Sequence, residues 1–255
     1  MKHVVNFSGG LCSWMAARRV AEKYGTDDLI LLFADTKMED GDLYRFLNEA
    51  SADIGVPVTI LADGRTPWDV FFDERFLGNS RIDPCSKLLK RKLLNRWHEE
   101  NCDPADTIIH VGLSWDEGHR LDGFSERMRP WEVSAPLCTP PYLTKNDILR
   151  LAQGRGLQPP RLSLEGFPHN NCGGFCVKAG QEQFRKLLML HPERYAFHEQ
   201  KEREIRVYLD ADIAILRDRR DGMTKPLTLE AFRLRVEGGQ QTDTFEWGGC
   251  GCAID

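Results

Sequence analysis

The positions of apolar residues switch between two periods along the chain, and the switches predict the elements. His3 to Phe7 is a short apolar run that stops at Ser8-Gly9-Gly10, as expected of a buried strand entering a tight turn. Trp14, Ala17, Val20, Ala21 and Tyr24 then recur at helical spacing, and Gly25 closes the helix. Leu29 to Ala34 is continuously apolar, the pattern of a parallel strand covered on both faces, and Asp35-Thr36 ends it. Leu43, Phe46, Leu47, Ala50 and Ile54 form a second helical stripe, and Val58 to Leu61 gives a third strand. Strand–helix–strand–helix–strand at this pitch predicts a doubly wound α/β domain, with right-handed crossovers placing helices on both faces.

From Gly64 to Asp83 the pattern is irregular. Trp68, Phe71 and Phe72 have core spacing, with stacking on an adenine as the alternative. A helix rich in Lys and Arg is expected from Cys85 to Trp97, and it puts Lys87, Lys90 and Arg91 on one face. Thr107 to Val111 is a fourth strand running into Gly112-Leu113-Ser114, and a fifth is expected near Trp131 to Ala135. Thr144 with Asp147 three residues on signals a helix start. Pro159-Pro160 marks a break, and the chain beyond it is helix-rich, with helices expected over Val177–Leu190, Pro192–Tyr208 and Thr228–Val236. The expected fold is therefore a doubly wound, mainly parallel five-stranded, Rossmann-like sheet over residues 1–158. A helical C-terminal region with cysteine motifs and a glycine-rich tail is expected over residues 159–255.

Composition changes this picture at one point. A 41% hydrophobic chain of 255 residues can bury a sizeable core, and a net charge of −5 does not call for nucleic acid or a membrane surface. No apolar run approaches the roughly 20 residues of a membrane span, the N-terminus is a poor signal peptide, and a cytoplasmic protein is expected. In that compartment eight cysteines point to metal or thiol chemistry rather than disulfides. Cys12, Cys102 and Cys138 stand alone, Cys172 and Cys176 form a C-x3-C, and Cys250 and Cys252 form a C-x-C.

Ligands of open parallel sheets bind beyond the carboxyl ends of the strands, where Ser8-Gly9-Gly10-Leu11-Cys12-Ser13 falls. Its glycines let backbone N–H groups approach a phosphate, the following helix favours an anion, and Ser8 and Ser13 add hydroxyl donors. The Walker pattern is absent. Asp35, ending the neighbouring strand, can take a hydroxyl, a base amine or a metal such as Mg; a tight turn and an N-cap are the purely structural alternatives for the two sites.

The loop resembles the S-G-G-x-x-S motif of the PP-loop enzymes, the adenine nucleotide α-hydrolases, and within them the phosphoadenosine-phosphosulfate reductase-like branch. Phe33-Ala34-Asp35-Thr36 followed by Glu39 resembles that branch's F-x-D-T-x-x-E. Gly112 with Glu117 and Arg120 loosely resembles its G-x-R-x-E-x-x-x-R, at different spacing. The resemblance spans residues 3–200. It implies ATP or a related adenine nucleotide bound by Ser8, Gly9, Gly10, Cys12, Ser13, Asp35 and Thr36, with Lys90 and Arg120 as anion ligands. Cys12 stands where ATP-cleaving members usually carry Asp, a departure that leaves nucleotide binding expected and counts against ATP pyrophosphatase chemistry. Arg127 and Arg129 are expected beside Arg120 on the ligand side of the sheet.

Cys85-Ser86 with Lys90 resembles the C-C-x-x-x-K segment of cluster-bearing adenylyl-sulfate reductases, whose cysteine pair and later C-x-x-C hold a [4Fe–4S] cluster. Ser86 replaces the second Cys here and the later motif has one extra residue. The resemblance implies Cys85, Cys172 and Cys176 as three ligands; Cys250 or Cys252 supplies the fourth, and Cys252 is our choice, with zinc as the alternative metal. The leading expectation is ATP-dependent sulfur transfer, thiolation or desulfuration, on an acceptor that is a nucleic acid or a small molecule, with Cys250 and Asp35 catalytic. The first alternative is a sulfonucleotide reductase using a thiol reductant, against which the absence of an E-C-G-x-H tail counts. The second is a non-catalytic nucleotide sensor with structural zinc. A homo-oligomer is left open.

Overall fold

The computed structural model describes residues 1–220 and 223–240. The N-terminal half is built from β1 (Lys2–Asn6), α1 (Leu11–Tyr24), β2 (Leu29–Asp35), α2 (Gly41–Ile54), β3 (Val58–Ala62) and α3 (Pro67–Asp73). Then come α4 (Pro84–Ser86), a π-helical stretch Lys87–Arg91, α5 (Lys92–Asn101), β4 (Thr107–Val111), a 3-10 segment Trp115–Arg120, α6 (Leu121–Arg127) and β5 (Glu132–Ser134). The remainder holds α7 (Lys145–Gly154), α8 (Arg161–Leu164), a 3-10 turn Asn171–Gly174, α9 (Gln181–Leu190), α10 (Pro192–Leu209), β6 (Leu216–Asp218), β7 (Lys225–Leu227) and α11 (Leu229–Glu237).

Five strands form one sheet in the order β3-β2-β1-β4-β5, every pair parallel, with helices on both faces. This is the α/β Rossmann-like architecture the hydrophobic pattern predicts. Period-2 alternation within the apolar strands serves two cores. Leu29, Leu31 and Phe33 pack with Trp14 of α1 and Phe46 of α2, while Leu32 and Ala34 pack with Leu94 of α5. Strand order reverses between β1 and β4, which makes the space beyond their carboxyl ends the topological switch point.

A second core lies beyond the sheet. Trp68 and Phe71 of α3 pack with Phe175, Phe184 of α9, Tyr195 of α10 and Phe232 of α11, so these aromatics are core and not a stacking face. α9 starts at Gln181 rather than at Val177, because Val177 and Ala179 are spent in this core and extended Gly180 caps the helix. The antiparallel β6–β7 pair is an element the sequence pattern did not predict, its three-residue strands being too short to show a period.

Glu202 anchors this second core. Its carboxylate is buried and accepts the backbone N–H of Ile215 at 2.9 Å and of Leu229 at 2.6 Å, joining α10 to the starts of β6 and α11. Burial, partly offset by those two donors, pushes its pKa up to about 7. A raised carboxyl pKa means that between about 4.5 and 7 the folded chain holds a proton the unfolded chain has lost, so stability falls as pH rises across that window. The expected contribution is about 2 kcal/mol. Urea unfolding at pH 5 and pH 7.5 checks it: the loss of stability between them should shrink in Glu202→Gln, and an unchanged difference contradicts the assignment.

Candidate nucleotide and thiol site

The first half of the site is the loop after β1. Helical geometry leaves the N–H groups of Leu11, Cys12 and Ser13, at the head of α1, to an external acceptor. No acidic residue occupies this first turn, which leaves the positive end of the helix open to an anion. Ser13 fixes the loop: its Oγ donates to the Gly10 carbonyl at 2.8 Å and accepts from the Gly10 N–H at 3.2 Å and the Ser8 hydroxyl at 3.2 Å. Gly9 has φ +73° and lies so close to α2 that a Cβ there would meet Leu43 at 2.8 Å. Gly112, at the end of β4, presses on the same helix start: a Cβ there would sit 2.6 Å from Ser13 Cα and 2.7 Å from Ser13 N. The end of β4 and the start of α1 therefore meet backbone to backbone.

Asp35 ends β2 beside this loop. Burial works to raise its carboxyl, but donors from Lys37 N and Nζ (2.8 and 2.9 Å) and Tyr44 Oη (2.8 Å) prevail and hold it below the usual carboxylate range. Thr36 is buried next to it and donates to Glu39 Oε1 at 2.9 Å. Asp40, also buried, caps α2 through the Asp42 N–H and receives Arg161 at 2.7 and 2.8 Å and Arg194 at 2.9 Å. The C-terminal half is thereby clamped to the carboxyl end of the sheet.

The second half of the site is a pocket lined by Cys85, Cys172, Cys176, Thr36, Lys90 and Asp83. Thr36 Oγ1 lies 3.8 Å from Cys172 Sγ, so the thiol pocket begins one residue from Asp35. Cys172 adopts φ 51°, ψ 35°, a left-handed conformation that costs a non-glycine residue about 1–3 kcal/mol. Its N–H donates to the buried carboxylate of Glu39, Arg194 donates to the Gly173 carbonyl, and Gln183 Nε2 donates to the Gly174 carbonyl at 2.7 Å. Lys90 is buried and reaches Asn171 Oδ1 at 3.1 Å and Glu39 Oε1 at 3.6 Å. Behind the pocket, His198 stacks on Phe175 at 3.8 Å and accepts from Trp68 Nε1 at 3.0 Å; burial lowers its pKa to about 3, so it is neutral with the proton on Nε2. Asp83 Oδ2 is buried without a hydrogen-bond partner among the described residues.

The structure thus gathers Ser8, Gly9, Gly10 and Ser13 at the switch point, puts Asp35 and Thr36 beside them, and gives Cys85, Cys172, Cys176 and Lys90 a common pocket. The Cys12 thiol packs against the sheet core and is pushed up to about 11 by burial, so only its backbone N–H is offered at the loop. Arg120 pairs with Glu117 at 2.9 Å on the 3-10 segment after β4. Two expectations are corrected. Lys87 does not share a face with Lys90: it is exposed while Lys90 is buried, the π turn having rotated one relative to the other. Arg127 and Arg129 do not join Arg120, because α6 runs back along the sheet and leaves them with Cys102, Pro104 and Trp131 near the starts of β4 and β5. Cys250 and Cys252 lie outside the described residues.

Sequence reasoning missed Asp40, Arg161, Arg194, Asn171 and His198, which carry no motif. Glu39 had a signal, its place three residues after Thr36, but no role.

An all-parallel β3-β2-β1-β4-β5 sheet with a glycine loop at its switch point defines a Rossmann-like α/β protein. Among solved structures, the chain resembles "U34-tRNA thiolase NcsA from Methanococcus maripaludis with its [4Fe-4S] cluster", at 19% identity and a TM-score of 0.46 over 80% of this chain and 72% of that one. No protein-family model and no curated protein matches the chain.

Proposed function

We propose that the chain is a PP-loop-type sulfur transferase that binds an adenine nucleotide at Ser8–Ser13 and Asp35 and holds an iron–sulfur cluster in the adjoining thiol pocket. The observation that supports this reading is the 3.8 Å contact between Thr36 and Cys172, which brings the residue after Asp35 against the three-thiol pocket.

The three thiols lining the pocket are a donor set that fits an iron–sulfur cluster, with zinc as the alternative metal. Thiols are soft donors suited to iron–sulfur centres. Cys85, Cys172 and Cys176 would hold the cluster, with Cys252 assigned as the fourth ligand and Cys250 as the catalytic thiol. The cluster supplies a site where inorganic sulfur or electrons can be handled.

The remaining chemistry belongs to the chain. The N–H groups of Leu11, Cys12 and Ser13 receive the phosphates and stabilise charge as pyrophosphate leaves. Asp35, kept ionised by Lys37 and Tyr44, takes a nucleotide hydroxyl or amine, or carries Mg. The buried Lys90 ammonium faces the thiol pocket and offsets thiolate charge. Adenylylation turns an acceptor oxygen into a leaving group, and a sulfur nucleophile displaces AMP. Residues 1–158 would supply the nucleotide site and residues 159–255 most of the thiols, in a cytoplasmic enzyme whose acceptor is a nucleic acid or a small molecule.

Oxygen-free purification with iron, labile sulfide and zinc analysis tests this. About four iron and four sulfide per chain are expected, with Cys→Ser at 85, 172 or 176 each losing most of both. Zinc in place of iron and sulfide sinks the cluster. Turnover of adenylyl sulfate with a thiol reductant, and none with ATP, would replace sulfur transfer by sulfonucleotide reduction.

A further inference from the structure

We infer that Glu39 is the positioning residue of the thiol pocket, its buried carboxylate tying the Cys172 turn to the end of β2 and so setting the direction of the Cys172 thiol. The inference rests on the reading of that pocket as a cofactor site.

Glu39 follows β2 by four residues, and its side chain is fully buried. One oxygen accepts the Cys172 N–H across 133 residues of sequence. The other accepts the Thr36 hydroxyl at 2.9 Å and lies 3.6 Å from Lys90 Nζ. The carboxylate therefore joins three segments, each of which also lines the pocket through Thr36, Lys90 or Cys172. Cys172 is a non-glycine residue at positive φ, a conformation that persists only where neighbours over-determine it. Arg194 and Gln183 pin the following carbonyls from the C-terminal half, and Glu39 pins the Cys172 amide from the sheet half. A thiol on a turn held from both sides points one way, which is what a rigid ligand needs.

Glu39→Gln is nearly isosteric, but either orientation of the amide turns its NH2 toward a donor. In the full-length chain, purified without oxygen, iron and sulfide should leave to a chelator roughly 10–100-fold faster than from wild type, the range for loss of a ligand-orienting contact. The unmatched donor should lower the thermal midpoint by a few degrees, ATP affinity should stay near wild type, and hydrogen exchange at the Cys172 amide should speed up. A purely architectural role would lower the midpoint without selectively loosening the cluster. Wild-type protein with no iron or sulfide overturns the cofactor reading and this inference with it. Iron-loaded wild type and a Glu39→Gln variant that release iron at the same rate overturn the role of Glu39 alone. If the variant does not fold, exchange in the wild-type chain decides: a Cys172 amide exchanging as fast as an exposed loop amide refutes the contact.

Discussion

Replacing Asp40 by alanine should cost about 2–3 kcal/mol of stability. Its carboxylate is buried to within 2% and answers two guanidinium groups and one helix-start amide. Removing it strands Arg161 and Arg194 beside an empty niche and uncaps α2. The full loss expected on breaking a buried ion pair is larger, but Arg161 is 49% and Arg194 27% exposed, so both recover part of their hydration. Burial alone would raise the Asp40 carboxyl; Arg161, the Asp42 amide and Arg194 hold it below the usual range instead. Its stabilising contribution is therefore complete above the unfolded carboxyl pKa and is lost as pH falls through the lower, folded one. Urea unfolding at neutral pH gives the measurement, and a loss below about 0.5 kcal/mol, typical of a surface change, would show that the clamp is not holding the halves together.

Gly112→Ala should be nearly as damaging and more specific to ligand binding. The new methyl would meet Ser13 Cα at 2.6 Å and Ser13 N at 2.7 Å. These are backbone atoms of a helix start, which cannot swing aside as a side-chain tip can. Overpacking of this kind costs about 1–3 kcal/mol. Relief requires α1 to slide away from β4, which moves the Leu11–Ser13 amides off their common target. Nucleotide affinity should fall at least about tenfold, equivalent to about 1.4 kcal/mol. Calorimetric titration with ATP and with AMP measures this, and unchanged affinity would move the nucleotide away from the β1–β4 switch point.

What could be read from the sequence follows from how local each signal is. The parallel sheet was legible because Leu29–Ala34 and Thr107–Val111 are apolar runs bounded by helical stripes, a pattern complete within each segment. The Ser8–Ser13 turn was legible because its glycines directly follow the first apolar run, and it closes its own hydrogen bonds within six residues. Cys85 and the C-x3-C could be placed together only through a resemblance to known enzymes, since nothing local joins them. The Asp40 clamp was invisible, because its partners lie 121 and 154 residues away and each looks like an ordinary surface charge. The burial of Lys90 was equally hidden: regular helical spacing put it with Lys87, and a π turn undoes that spacing.

The placement of α3 bears on how the chain is made. Trp68 and Phe71 belong to a core most of whose members, Phe175, Phe184, Tyr195 and Phe232 among them, are synthesised long afterwards. On a translating ribosome the sheet strands β1 to β3 can begin to associate while this aromatic pair has only near neighbours such as Leu77 to pack against. The nascent chain therefore displays a sticky apolar patch through most of its synthesis, a natural foothold for a holding chaperone until the last helices arrive.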